Sequence, residues 1–85
     1  RIYLHVDLDV HDPGEGRANT FQPRGGLAAD EVQRIVRHVA ARIPIAAAAV
    51  TAYDPAVDAD GRMLEAGLAL MELIAELAAS PGDES

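Results

Sequence analysis

The sequence predicts an α/β fold in the order β-loop-α-β-loop-α. Three observations carry this. Residues 2–10 alternate strictly between apolar and polar, the period of a strand with one greasy face. Residues 28–43 carry an apolar stripe at helical spacing, as an amphipathic helix does. A short apolar run over residues 45–53 lies between Pro44 and Pro55; its length and flanks favour a strand.

In the first strand Ile2, Leu4, Val6, Leu8 and Val10 fall on one face, and Tyr3, His5, Asp7 and Asp9 on the other. Asp12-Pro13-Gly14 ends it with turn chemistry. Residues 14–26 form a long Gly-rich polar loop at the carboxyl end of the strand, where open α/β sheets bind ligands. The first helix is expected from about Ala28 to Ile43. Its stripe is Val32, Ile35, Val36, Val39, Ala40 and Ile43, with Asp30 and Glu31 in the first turn and Arg37 and Arg42 towards the end, as the helix dipole prefers. Pro44 stops it.

Ala46 to Ala49 favour helix on propensity, but position argues for a buried strand from Ile45 to Tyr53 whose small side chains let helices pack close. After a loop over residues 56–61, a second helix is expected from about Arg62 to Ala79. Its polar strip is narrow (Glu65, Glu72, Glu76). Leu64, Leu68, Met71, Ile74 and Ala75 face one way and Leu70, Leu73 and Leu77 another. So wide an apolar surface implies contact with the sheet and with something further. Residues 81–85 read as a frayed tail after a domain portion spanning 1–80. Strand-helix-strand order implies parallel strands and a right-handed crossover.

At 85 residues the chain is at most one small domain with a modest core. Two strands and two helices leave sheet surface uncovered, and the sequence reads as the C-terminal part of a larger α/β protein. The net charge is −7, every Lys/Arg position is Arg, and there is no cysteine. An acidic chain without a basic cluster argues against nucleic acid and anionic membranes. Absent cysteines fit a reducing compartment, and a cytoplasmic location is expected. No apolar run approaches the ~20 residues of a membrane span, and no signal peptide is expected.

Asp7 and Asp9 are the candidate site. Two apart on a strand, they would point to one side with Cα atoms roughly 6.5–7 Å apart. Adjacent carboxylates repel unless a cation neutralises them, and Asp is a poor strand former. Local rules are broken where function requires it. The alternative is that both are solvated or cap backbone amides. His5 shares their face and reads as a hydrogen-bonded support rather than a ligand. His11 reads as a turn residue and His38 as solvated. Asp12 and Asp54 read as turn caps.

The stretch His5-Val6-Asp7-Leu8-Asp9-Val10-His11-Asp12-Pro13, followed after eleven residues by Gly25-Gly26-Leu27 and then by Asp54-Pro55-x-x-Asp58, resembles the arginase–agmatinase–formiminoglutamase (ureohydrolase) family over nearly the whole chain. The resemblance implies a fragment of a three-layer parallel-sheet arginase-like fold. It implies a hydrolase with two Mn²⁺ per site in the intact protein, whose metal-bridging hydroxide cleaves C–N bonds of guanidino- or formimino-type small molecules. Asp7 and Asp9 match the family's late metal-ligating Asp-x-Asp. Asp58 matches an Asp that braces the active-site loop, with Asp12 as further loop support. Arg17 and Asn19 on the long loop are candidate substrate contacts. The intact protein is expected to be a homo-oligomer.

Four departures from the family pattern matter. The His-Gly-Gly and Asp-Ala-His-x-Asp segments that supply the family's other ligands lie outside this sequence, so the fragment alone is expected to be inactive. Ala52 stands where guanidine-cleaving members carry a Glu, which argues against arginine and agmatine. Phe21, not Thr20, aligns with the family's loop Thr. Ala28 replaces the Ser or Thr that caps the following helix. Two other readings compete. A truncated homologue could serve only as an oligomerisation or interaction module, and a reading frame lacking those two segments would favour that. A phosphatase or transferase could use Asp-x-Asp with Mg²⁺. The phosphatase pattern wants Thr or Val at position 11, and His11 disfavours it.

Overall fold

The computed structural model describes residues 1–20 and 22–79. The tail expected over 81–85 and the alignment of Phe21 fall outside the described residues. The elements are β1 (Ile2–Asp7), a 3₁₀ turn (Leu8–Val10), a second 3₁₀ turn (Pro13–Glu15), α1 (Ala29–Ala40), β2 (Ile45–Thr51) and α2 (Arg62–Ala79). The strands pair in parallel, with Asp7 opposite Thr51, and α2 packs on both β2 and α1. The core gathers Val6 and Leu8, Val32 and Val36 of α1, Ile45, and Met63, Leu70, Leu73 and Ile74 of α2. Val32 and Val36 are one helical turn apart, so they present a single face inward.

The alternation sets β1: Tyr3, His5 and Asp7 are exposed while Val6 is buried. The strand is nevertheless shorter than the pattern predicts. The chain turns at Leu8, whose carbonyl accepts both the His11 amide at 3.2 Å and His11 Nδ1 at 2.8 Å. Leu8 is buried at 3 % exposure, whereas Val10 is 39 % exposed. β2 ends at Thr51, so past Asp7 no partner remains to hold the ladder. Asp9 therefore lies on a turn and not on the strand.

His11 is also not the open turn residue expected. It is buried at 2 % exposure, and the backbone on either side of it bonds Leu27: the Asp12 amide donates to the Leu27 carbonyl and the Leu27 amide to that of Val10, both at 2.9 Å. That pairing explains Gly25-Gly26. Gly25 adopts a left-handed φ of 84°, a region that favours glycine. Gly26 lies so close to the 10–12 backbone that a Cβ would stand 2.6 Å from the Val10 carbonyl oxygen.

The first helix is shorter at both ends than its stripe suggests. The amides of Ala41, Arg42 and Ile43 bond back to Arg37 and Val39 in a closing turn. Ile35 and Ile43 of the stripe stand exposed. The alanine run is a strand, as its position predicts, but it ends at Thr51, two residues before Tyr53, and Ala52 follows it with φ 68°. Ala46–Ala48 are exposed rather than buried, because helices of this chain cover only part of a two-stranded sheet. The second helix keeps its expected bounds. Of its two apolar faces, the one carrying Leu70 and Leu73 is inside, joined by Ile74. Leu64, Leu68 and Met71 are 48–56 % exposed.

Candidate metal and substrate site

The site forms where β1 ends, because the chain's turn at Leu8 and the arrival of Leu27 bring three segments together. Asp7 and Asp9 both line a groove of about 430 Å³ between β1 and the apolar side of α1. Asp7 Oδ1 accepts the Thr51 hydroxyl at 2.6 Å and lies 3.0 Å from His5 Nε2. His5 Nε2 is also 2.8 Å from Thr51 Oγ1. His5 thus supports Asp7 from an exposed position. Among the described residues no arginine pairs with Asp7 or Asp9.

Asp9 approaches the long loop, with Asn19 Nδ2 3.5 Å from its Oδ2. The same amide nitrogen donates to the Ala52 carbonyl at 2.8 Å, and the Asp54 amide donates to the Ala18 carbonyl at 2.7 Å. The loop is therefore latched to the chain just past β2. This places Asn19 beside Asp9, while Arg17 is exposed on the loop. Gln22, buried at 8 %, holds the loop from within. Its amide donates to the carbonyls of His11 (2.8 Å) and Gly16 (3.0 Å), and its oxygen accepts the Ala18 amide (2.7 Å).

Asp12 and Asp58 are braces. Asp12 accepts the amides of Gly14 and Gly25. The bond from Gly14 and then that from Gly25, helped by Gly26 and the Arg24 charge, outweigh desolvation and hold its carboxyl below the usual range. Asp58, 6 % exposed, accepts the Tyr53 hydroxyl at 2.8 Å and the Met63 and Leu64 amides at 3.1 and 2.9 Å. Burial pushes its carboxyl up, but the bonds from Tyr53, Met63 and Leu64 and the Arg62 charge overcome this and leave it lowered. Its bond to Tyr53 in turn raises the phenol. Asp54 caps its own turn through the Ala56 amide. His38 is exposed, as expected.

Thr51, Gln22 and Glu15 were not legible as site residues. Glu15 accepts the Ala29 amide at 2.9 Å, and Glu31 that of Ala28 at 2.8 Å. Together they cap α1 where Ala28 cannot. A Glu three residues after a helix start was the one available signal; Glu15 comes from fourteen residues away.

Two carboxylates are hard oxygen donors suited to Mn²⁺ or Mg²⁺. They fit such ions as part of a donor set. Among the described residues, no group of three or more His, Cys, Asp or Glu could hold a metal, so a complete site needs ligands beyond these. No helix among the described residues is long and apolar enough to cross a membrane.

This parallel β-α-β-α arrangement, with Asp7 and Asp9 where the first strand ends and Gly26 packed against residues 10–12 just after them, is that of a ureohydrolase-like α/β fold. The chain belongs to the arginase family: the family's sequence profile matches residues 1–77. Among solved structures it is similar to Helicobacter pylori arginase, with a TM-score of 0.79 and 25% sequence identity. The match covers 91% of this chain and 27% of that one, so the chain spans about a quarter of the arginase it resembles. No curated protein matches the sequence.

Proposed function

We propose that this chain is the part of a binuclear manganese-dependent hydrolase that contributes Asp7 and Asp9 as metal ligands. The observation that carries the reading is that Asp7 and Asp9 line one groove and that, among the described residues, neither pairs with an arginine. Two such ions, when bound, lower the pKa of a shared water and offset charge that develops on the substrate. Within this chain, His5 and Thr51 hold Asp7, Asn19 sets the loop beside Asp9, and Asp12 and Asp58 keep the surrounding turns in place.

The substrate class that fits is a small, non-peptide molecule with a guanidino- or formimino-type C–N bond. Ala52, its carbonyl already taken by Asn19, offers no carboxylate to a guanidinium. A formimino compound is therefore the better candidate than arginine or agmatine. The exposed Leu64, Leu68 and Met71 support packing against further protein, in keeping with a homo-oligomer of the intact molecule. A cytoplasmic setting is part of the same reading.

Bound manganese in the full-length gene product, set against its Asp7→Ala form, tests the assignment. Loss of manganese in the variant is expected; an equal content in both would overturn it. On the same preparation, faster turnover of arginine than of formimino compounds would refute the substrate reading.

A further inference from the structure

We infer that Thr51 is a positioning residue that fixes the Asp7 carboxylate for its ion; the inference rests on the reading of Asp7 as a ligand. The parallel register sets Thr51 opposite Asp7, and its hydroxyl donates to Oδ1 at 2.6 Å. A hydroxyl has a single proton, and here it is committed to Asp7. The 2.8 Å contact between His5 Nε2 and Thr51 Oγ1 must then run the other way, with His5 donating. The order of donation is His5 to Thr51 to Asp7, and the His5 N–H also leans on Oδ1 at 3.0 Å.

Both contacts that reach Asp7, from Thr51 and from His5, fall on Oδ1. Among the described residues no hydrogen bond reaches Oδ2 of Asp7, so the clamp holds the group by Oδ1 and leaves Oδ2 to ligate. Thr is β-branched and stiff about χ1, so its hydroxyl is set in place by the strand backbone. An exposed carboxylate would otherwise sample several rotamers and lose that freedom on binding. Groups behind a ligand commonly change metal affinity 10–100-fold.

The test is Mn²⁺ titration calorimetry on the full-length gene product and its Thr51→Val, Thr51→Ser and Asp7→Ala forms, with circular dichroism to confirm the fold. Thr51→Val is expected to weaken Mn²⁺ binding about tenfold, and Thr51→Ser, which keeps the hydroxyl, to restore most of it. Should the valine form not fold, Thr51→Ala takes its place, since β2 already carries a run of alanines. Binding by the hydroxyl-free form equal to that of the parent, with Asp7→Ala impaired, would overturn the inference and leave the ligand reading standing. So would a serine form as weak as the valine form. Undiminished binding by Asp7→Ala would overturn the ligand reading and this inference with it.

Discussion

Replacing Asp58 by alanine should destabilise the protein by about 2–3 kcal/mol, and the structure supplies the terms. The first amides of α2 have no helical partners of their own. Asp60 takes that of Arg62 (3.2 Å), and Asp58 takes those of Met63 and Leu64. Losing such a cap costs about 1–2 kcal/mol. The Tyr53 hydroxyl loses its acceptor as well, for about 1 kcal/mol more. Asp58→Asn keeps one acceptor oxygen and should recover part of this. Urea unfolding of the full-length gene product, followed by far-UV circular dichroism at pH 7, measures both. The pH dependence has a definite sign. The folded state holds the Asp58 carboxyl below its ordinary 3.8, so its stabilisation is complete above that value and is lost as the pH falls through the lower folded value. The gap between parent and Asp58→Asn should therefore narrow below about pH 4. A loss in Asp58→Ala under about 0.5 kcal/mol, the scale of an ordinary surface substitution, would refute the capping argument.

Three further outcomes follow from the loop and its braces. Gly26→Ala should cost about 2–3 kcal/mol by overpacking, because the new Cβ meets backbone at 2.6–2.7 Å; a melt matching the parent's would contradict this. Gln22→Leu fills the space but strands three bonded groups, and about 2 kcal/mol should be lost, read from the urea midpoint. Glu15→Ala should cost about 1 kcal/mol by uncapping Ala29, with Glu15→Gln, which keeps an acceptor, nearer the parent; equal losses in the two would rule out the cap.

Much of the fold could be read locally. Period-two alternation produced β1, a 3.6-residue stripe produced α1, and the flanking prolines identified the alanine run as a strand against its helical propensity. The bounds of α2 and the capping roles of Asp12 and Asp54 were also legible, because each depends on residues a few positions apart. The alternation failed at Leu8, where a bond from a buried histidine and the end of the partner strand overruled it. The start of α1 failed for a similar reason: Glu15 caps it from fourteen residues away.

The sequence by itself determined which segments become strands and helices, and that two acids stand at the end of the first strand within an arginase-family pattern. Only the tertiary structure decided that Thr51, forty-four residues away, lies against Asp7, that Asn19 bridges Asp9 to Ala52, and that Gln22 holds the loop from inside. Local periodicity reports which way a side chain points from its own backbone. The register of two parallel strands joined through a helix is set by how their apolar faces pack, and that is a property of the assembled fold.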